Sequence, residues 1–302
     1  MKILLKSTEE RFQKLLEESI VESITIQHEV VLKGQYTKAY DLLQDSIAAG
    51  ITPCLVGPPG VGKSLMVRKI ANDTGRPFYE VFFDENVTPT RLIGSFDPAL
   101  VARVGRTPQT FEPGPLTRAM VEGGLFIAQE LNRATEFCQN SLIAPLEEKH
   151  YYVYPMGIIK ADDNFAFIAT QNPLETSGTY RLSQVLTDRI GCWIRIGYPE
   201  REVELEIIKV NVDEYGLSED ALVKIYEIVR DTRINQELEI PASPRAGIFL
   251  ARLVNKYKDK FSNEYEAIRF FAPSVLSKEM RVKAEGKTPV DIVNEILDKR
   301  LR

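Results

Sequence analysis

Glycine recurs at positions 57, 60 and 62, and the last is followed at once by Lys63 and Ser64. Glycines at that spacing let a backbone wrap an anion with successive N–H groups, a lysine adds a point charge, and a serine hydroxyl suits a divalent cation. The run Gly57-Pro58-Pro59-Gly60-Val61-Gly62-Lys63-Ser64 matches the P-loop pattern. It lies between ITPCLVG at 51–57, which reads as a short buried strand, and a helical pattern over Ser64 to Asn72. A helix N-terminus in that place adds unpaired donors and the positive end of its dipole. Gly57, Pro58, Pro59, Gly60, Val61, Gly62, Lys63, Ser64 and Leu65 are the expected nucleotide-binding residues, with Lys63 on the β- and γ-phosphates and Ser64 on Mg2+. The plain alternative is a Gly-Pro turn that happens to carry a lysine and a serine.

Hydrolysis at such a loop needs a carboxylate at the end of a neighbouring strand, and Leu125-Phe126-Ile127-Ala128-Gln129-Glu130 supplies an apolar strand closed by Glu130. Glu130 can orient the attacking water; otherwise it is an ordinary surface glutamate. The preceding position usually carries an aspartate that helps to hold magnesium, and here it is Gln129. An amide can hydrogen-bond a metal-bound water but adds no charge, so Ser64 and Gln129 would hold the metal weakly and turnover would be slow. On that reading, Gln129→Asp is expected to speed the reaction.

These groups need a scaffold. FYEVFF at 78–83, LFIA at 125–128, FAFIAT at 165–170 and CWIRIG at 192–197 alternate with helical stretches, among them KAYDLLQDSIA at 38–48 and Thr135 to Glu147. That order predicts an α/β fold, a parallel sheet flanked by helices. From Tyr198 onward the strand-like runs vanish, and helices are expected over Arg201 to Val212, Glu219 to Thr232, Pro244 to Lys258 and Pro289 to Arg300. At the start, Ser7 with Glu10 suggests a capping box, and Leu5, Phe12, Leu15, Leu16 and Ile20 follow at helical spacing. Three regions result: a helical extension over 1–40, a nucleotide-binding αβ domain over 41–198 and a small helical domain over 199–302.

Composition narrows the function class. The 302 residues hold 38 Lys plus Arg against 43 Asp plus Glu, a net charge of −5 that argues against a general polyanion binder. The apolar runs fall far short of the roughly 18 residues that cross a bilayer, and the N-terminal apolar run is too short for a secretory signal, so no membrane partner and a cytoplasmic location are expected. Cys54, Cys138 and Cys192 read as buried thiols, and His28 and His150 lack companions at metal-ligand spacing.

The set Gly57 to Ser64, Ala128-Gln129-Glu130-Leu131-Asn132-Arg133-Ala134, Ala169-Thr170-Gln171-Asn172-Pro173, Asp188-Arg189 and Ala242-Ser243-Pro244-Arg245-Ala246 resembles the MoxR-type AAA+ ATPases. The resemblance runs from about residue 40 to the C-terminus, and it implies ATP as the nucleotide and an all-helical lid as the C-terminal domain. It gives Asn172 the role of first sensor, Arg189 that of an arginine finger reaching a neighbouring subunit, and Arg245 that of second sensor. The plainer readings are a turn asparagine before Pro173, an exposed ion pair between Arg189 and Asp188, and a helix-surface arginine, although arginine in a first turn opposes the helix dipole. Residues 94–115 fall where the family inserts a β-hairpin into its second helix, with Gly105 to Pro108 as the tip. Lys149 to Asp162 resembles a second hairpin, whose Tyr151, Tyr152 and Tyr154 either face a pore or pack across strands.

The resemblance also implies a homo-oligomeric ring, a hexamer by analogy, that remodels or matures a partner protein, in some relatives one with a von Willebrand factor A domain. Two rivals stand beside it. A nucleotide-gated adaptor with weak hydrolysis is favoured by Gln129 and opposed by the intact Glu130, Asn172, Arg189 and Arg245. A nucleic-acid motor is allowed by Arg103 and Arg106 near the first hairpin tip, but the acidic balance makes nucleic acid an unlikely partner.

Overall fold

The structure, a computed structural model, describes residues 30–173, 179–212, 216–283 and 286–301. The helix expected over the first twenty residues lies outside the described residues. The described chain forms two compact units, one of residues 41–56 with 64–195, the other of residues 30–40, 57–63 and those from Ile196 on.

In the first unit the chain lays down β1 (Thr52–Val56), β2 (Phe78–Phe82), β3 (Gly94–Phe96), β4 (Phe111–Pro113), β5 (Leu125–Gln129), β6 (His150–Val153), β7 (Gly157–Lys160), β8 (Ala166–Gln171) and β9 (Ile190–Arg195). Five of these form one sheet in the order β2-β5-β8-β1-β9, with every pairing parallel. Every residue of β5 is buried, as a strand covered on both faces requires. Phe126 and Phe167 stack across β5 and β8 with centroids 5.4 Å apart, in a core that includes Leu92, Leu116 and Met120. The register sets Ala128 beside Ala169 and Val56 beside Gln171, so β1, β5 and β8 end along one edge of the sheet. Glu130 and Asn172 are the first residues beyond β5 and β8.

The helix expected over Thr135 to Glu147 is two, Glu136–Ser141 and Ile143–Glu147. Pro145 has no N–H to give the carbonyl of Ser141, which breaks the ladder there. The first insertion also differs from expectation. β3 and β4 pair antiparallel between the short helices Pro89–Ile93 and Pro115–Val121, but a helix, Pro98–Val104, fills the connection. Asp97 caps it, its Oδ1 accepting from the backbone of Ala99 at 2.7 Å and Leu100 at 3.0 Å, with proline at the first helical position. Gly105 therefore ends a helix, at φ 76°, instead of opening a hairpin tip.

The second insertion is a hairpin of β6 and β7. Tyr151 faces Ile159 and both are buried, whereas Tyr152, opposite Ile158, and Tyr154 are exposed. Cross-strand packing into the core thus describes Tyr151 alone. Cys54 and Cys138 are buried and Cys192, on the edge strand β9, is partly exposed; none of the three is in a disulfide. Burial pushes the Cys138 thiol up to about 11, which keeps it protonated and inert.

The second unit is mainly helical: Arg201–Val210, Glu219–Ile234, Pro244–Tyr257, Glu264–Leu276 and Pro289–Arg300. The fourth was missed from sequence because Pro273 sits within it, yet Asn263 caps its start. A short ribbon, β10 (Leu238–Ile240) with β11 (Arg281–Val282), interrupts the helices where no strand was expected. The core centres on Ile225, Val229, Leu250, Ile268 and Val293. Inside it Glu204, with no exposed surface, takes two hydrogen bonds of 2.6 Å from Arg233, whose guanidinium lies 4.3 Å above the ring of Tyr198. Fork-to-fork pairing is how a buried charge is tolerated. Among the described residues no helix is long and apolar enough to cross a membrane.

Candidate nucleotide site

The loop Gly57–Lys63 belongs to the second unit, and its shape rests on three glycines. A Cβ on Gly57 would lie 2.2 Å from the carbonyl oxygen of Ile196, so no side chain fits there. Gly60 and Gly62 have φ of 73° and 92°, in the left-handed region that turns consecutive N–H groups to one side. Gly60 also receives the start of the helix Pro244–Tyr257: a Cβ on it would meet Ser243 at 2.8 Å and the Arg245 Cβ at 3.2 Å. Ser243 caps that helix, its Oγ accepting from Ala246 N at 3.2 Å and donating to Glu279 Oε2 at 2.7 Å. Arg245, one residue into the helix, thus has its Cβ beside the loop and is exposed. Lys63 is buried, and its Nζ donates to the carbonyls of Gly57 at 2.7 Å and Pro58 at 2.9 Å. The loop's chemistry, a lysine ammonium and glycine amides, fits a polyphosphate.

In the first unit Ser64 and Leu65 open the helix Lys63–Thr74 and are half-buried. Gln129 is 2 % exposed, and both ends of its amide are engaged: Nε2 donates to Glu80 Oε1 at 2.8 Å and Oε1 accepts from Thr170 Oγ1 at 2.7 Å. Thr170 in turn accepts from the backbone N–H of Glu130 at 3.1 Å. Glu130 has φ 54° and ψ 47°, one of two non-glycine residues with positive φ among those described. On the other side Glu80 Oε2 accepts from Arg68, through Nε at 3.2 Å and through Nη2. Arg68 lies one turn beyond Ser64 on the same helix. Sequence reasoning missed Glu80 and Arg68; the one signal was a glutamate inside the apolar run FYEVFF.

Asn172 is buried at the end of β8, and its carbonyl accepts from Asn132 Nδ2 at 3.4 Å. Asn132, also buried, follows Glu130 by two residues, so the chains leaving β5 and β8 are tied together. Arg189 ends the helix Gln184–Arg189, where its guanidinium is held by Glu147 (Nε at 2.9 Å, and Nη2) and by the Val185 carbonyl at 2.7 Å. The partner is Glu147, not the adjacent Asp188. Among the described residues no group of three or more His, Cys, Asp or Glu is placed to hold a metal; Ser64 and the phosphates of a bound nucleotide would supply the magnesium ligands.

Residues 53–190 match a family model described as an AAA domain of the dynein-related subfamily. Among relatives, an uncharacterized protein YeaC of Bacillus subtilis is 28 % identical over 272 residues, 79 % of this chain and 81 % of that protein. The chaperone MoxR1 of Mycobacterium tuberculosis is 35 % identical over 158 residues, 51 % of this chain but only 38 % of that protein. Of solved structures, NtrX from Brucella abortus in complex with ATP shares the fold, with a TM-score of 0.53 at 17 % identity over 86 % of this chain and 60 % of that one. The loop, the parallel sheet, the C-terminal helices and these likenesses agree on an AAA+ P-loop fold, and the chain is similar to the MoxR-type AAA+ ATPases.

Proposed function

We propose that the protein binds ATP with Mg2+ and hydrolyses it slowly, as a homo-oligomeric ring of hexamer type that remodels or matures a partner protein. The observation that carries the reading is the loop itself: three glycines that admit no side chain or need a left-handed backbone, around a buried lysine. Gly57, Pro58, Pro59, Gly60, Val61, Gly62, Lys63, Ser64 and Leu65 hold the triphosphate, with Ser64 on the cation. Bound Mg2+ neutralises charge on the phosphates. Glu130 orients the attacking water and takes its proton, and the Asn172 amide holds that water or the γ-phosphate. Arg189 reaches the γ-phosphate of a neighbouring subunit, and Arg245 closes on the phosphates of its own. The chaperone-named relative supports a protein as the partner; one with a von Willebrand factor A domain is the first to try.

Phosphate release measured with and without magnesium tests the activity, and light scattering at increasing ATP tests the ring. Slow magnesium-dependent release and a shift to a hexamer-sized particle are expected. A second reading, a nucleotide-gated adaptor, is favoured by the engagement of both ends of the Gln129 amide, which leaves no carboxylate at that position. ATP-dependent assembly with no phosphate release would select it.

A further inference from the structure

The polar chain behind Glu130 runs in one direction. Glu130 N–H donates to Thr170, the Thr170 hydroxyl to Gln129, the Gln129 amide to Glu80, and Arg68 closes the far end. Each link is fixed by chemistry. An ionised carboxylate only accepts, so Glu80 can end the chain but never pass it on; a hydroxyl donates its one proton and accepts through its lone pairs; an amide does both from two different atoms. At position 129 the side chain must accept from Thr170 and donate to Glu80, and among side chains of that length glutamine does so without having to take up a proton. The negative charge usual at 129 resides instead at position 80, balanced by Arg68, with the Glu80 side chain 8 % exposed.

We propose that Glu80 is a positioning residue for Glu130, acting through Gln129 and Thr170, and that Gln129 is an amide because it links the two. This rests on the reading of Glu130 as the hydrolytic glutamate. A carboxylate at 129 would face Glu80 as a second like charge in a site sheltered from water, and could restore the bond only by taking up a proton. The network therefore predicts that a carboxylate there slows the reaction, the opposite of what a lost magnesium ligand predicts.

The test uses the full chain in four forms: unmodified, Gln129→Glu, Glu80→Gln, and the double variant, which exchanges donor and acceptor across the same bond. Each is assayed for ATP turnover, for binding of a fluorescent ATP analogue and for melting temperature. Gln129→Glu is expected to lower kcat roughly tenfold, the usual consequence of unpairing a buried polar group, with KM for ATP nearly unchanged. The double variant should recover most of that loss. Gln129→Glu turning over at the unmodified rate, or a double variant no better than the poorer single one, overturns the proposal. An unmodified chain that releases no phosphate counts against the ATPase reading alone. The melting temperatures then decide the coupling, with rescue in the double variant supporting it and additive losses overturning it.

Discussion

The phosphate loop and the ends of β5 and β8 both fix polar groups in space, by unlike means. In the loop the backbone is the device: Gly57 stands 2.2 Å from a carbonyl where a Cβ would go, and Gly60 and Gly62 take conformations other residues avoid. At the strand ends side chains are the device, with Glu80, Gln129 and Thr170 drawn from three strands and linked by hydrogen bonds of 2.7 and 2.8 Å. A backbone device is written in consecutive residues, whereas a side-chain device is written in residues dozens of positions apart. The first survives most changes outside itself; the second depends on each of its members.

Substitutions sharpen the contrast, the largest effect first. Arg189→Ala should lower turnover by roughly 10³- to 10⁵-fold with ATP affinity nearly intact, as for arginine fingers elsewhere. Glu147, which holds Arg189, is exposed and should not bind the nucleotide. If Arg189→Ala turns over at the unmodified rate, the arginine is a surface ion pair and nothing more. Glu130→Gln should keep nucleotide binding and lose roughly 10²- to 10⁴-fold in rate, since it removes a base and leaves the loop alone. A parallel loss of binding would mean the two regions are not separable.

Gly57→Ala should do the reverse. It is expected to cost about 3 kcal/mol of stability, because the new methyl meets the Ile196 backbone, and to abolish binding of a fluorescent ATP analogue. Thermal melting with ligand titration reads both, and unaltered binding would show that the loop tolerates what its geometry forbids. Thr170→Val keeps the shape of the side chain and deletes its hydroxyl, removing the hydrogen bond it gives to Gln129 Oε1 and the one it takes from Glu130 N–H. A loss of about 1 to 2 kcal/mol and a slower rate at unchanged ATP affinity are expected. No change in either would show that the strand ends hold their geometry without the chain of hydrogen bonds.

The same contrast explains what could be read without coordinates. The tight turn of Gly57 to Ser64 was legible because glycine spacing alone carries the signal, and the strands around it followed from their apolar runs. The helix Pro98–Val104 was legible too, in Asp97-Pro98, but the expectation of a hairpin masked it. Glu80 and Arg68 were not legible, since nothing local says that a glutamate in a strand will meet a glutamine 49 residues on. The partner of Arg189 was hidden for the same reason: Glu147 lies 42 residues away, while Asp188 lies next door.

Glu130 has a left-handed backbone that glycine would adopt without strain. For a residue with a Cβ that conformation costs roughly 1 to 2 kcal/mol, and glycine would give back part of the gain as added freedom of the unfolded chain. A Glu130→Gly protein should therefore melt no lower than the original while releasing no phosphate. Thermostability and hydrolysis would then be in competition at a single position. A screen of this chain for heat resistance alone would tend to enrich glycine at 130, and so to select molecules that fold well and do nothing.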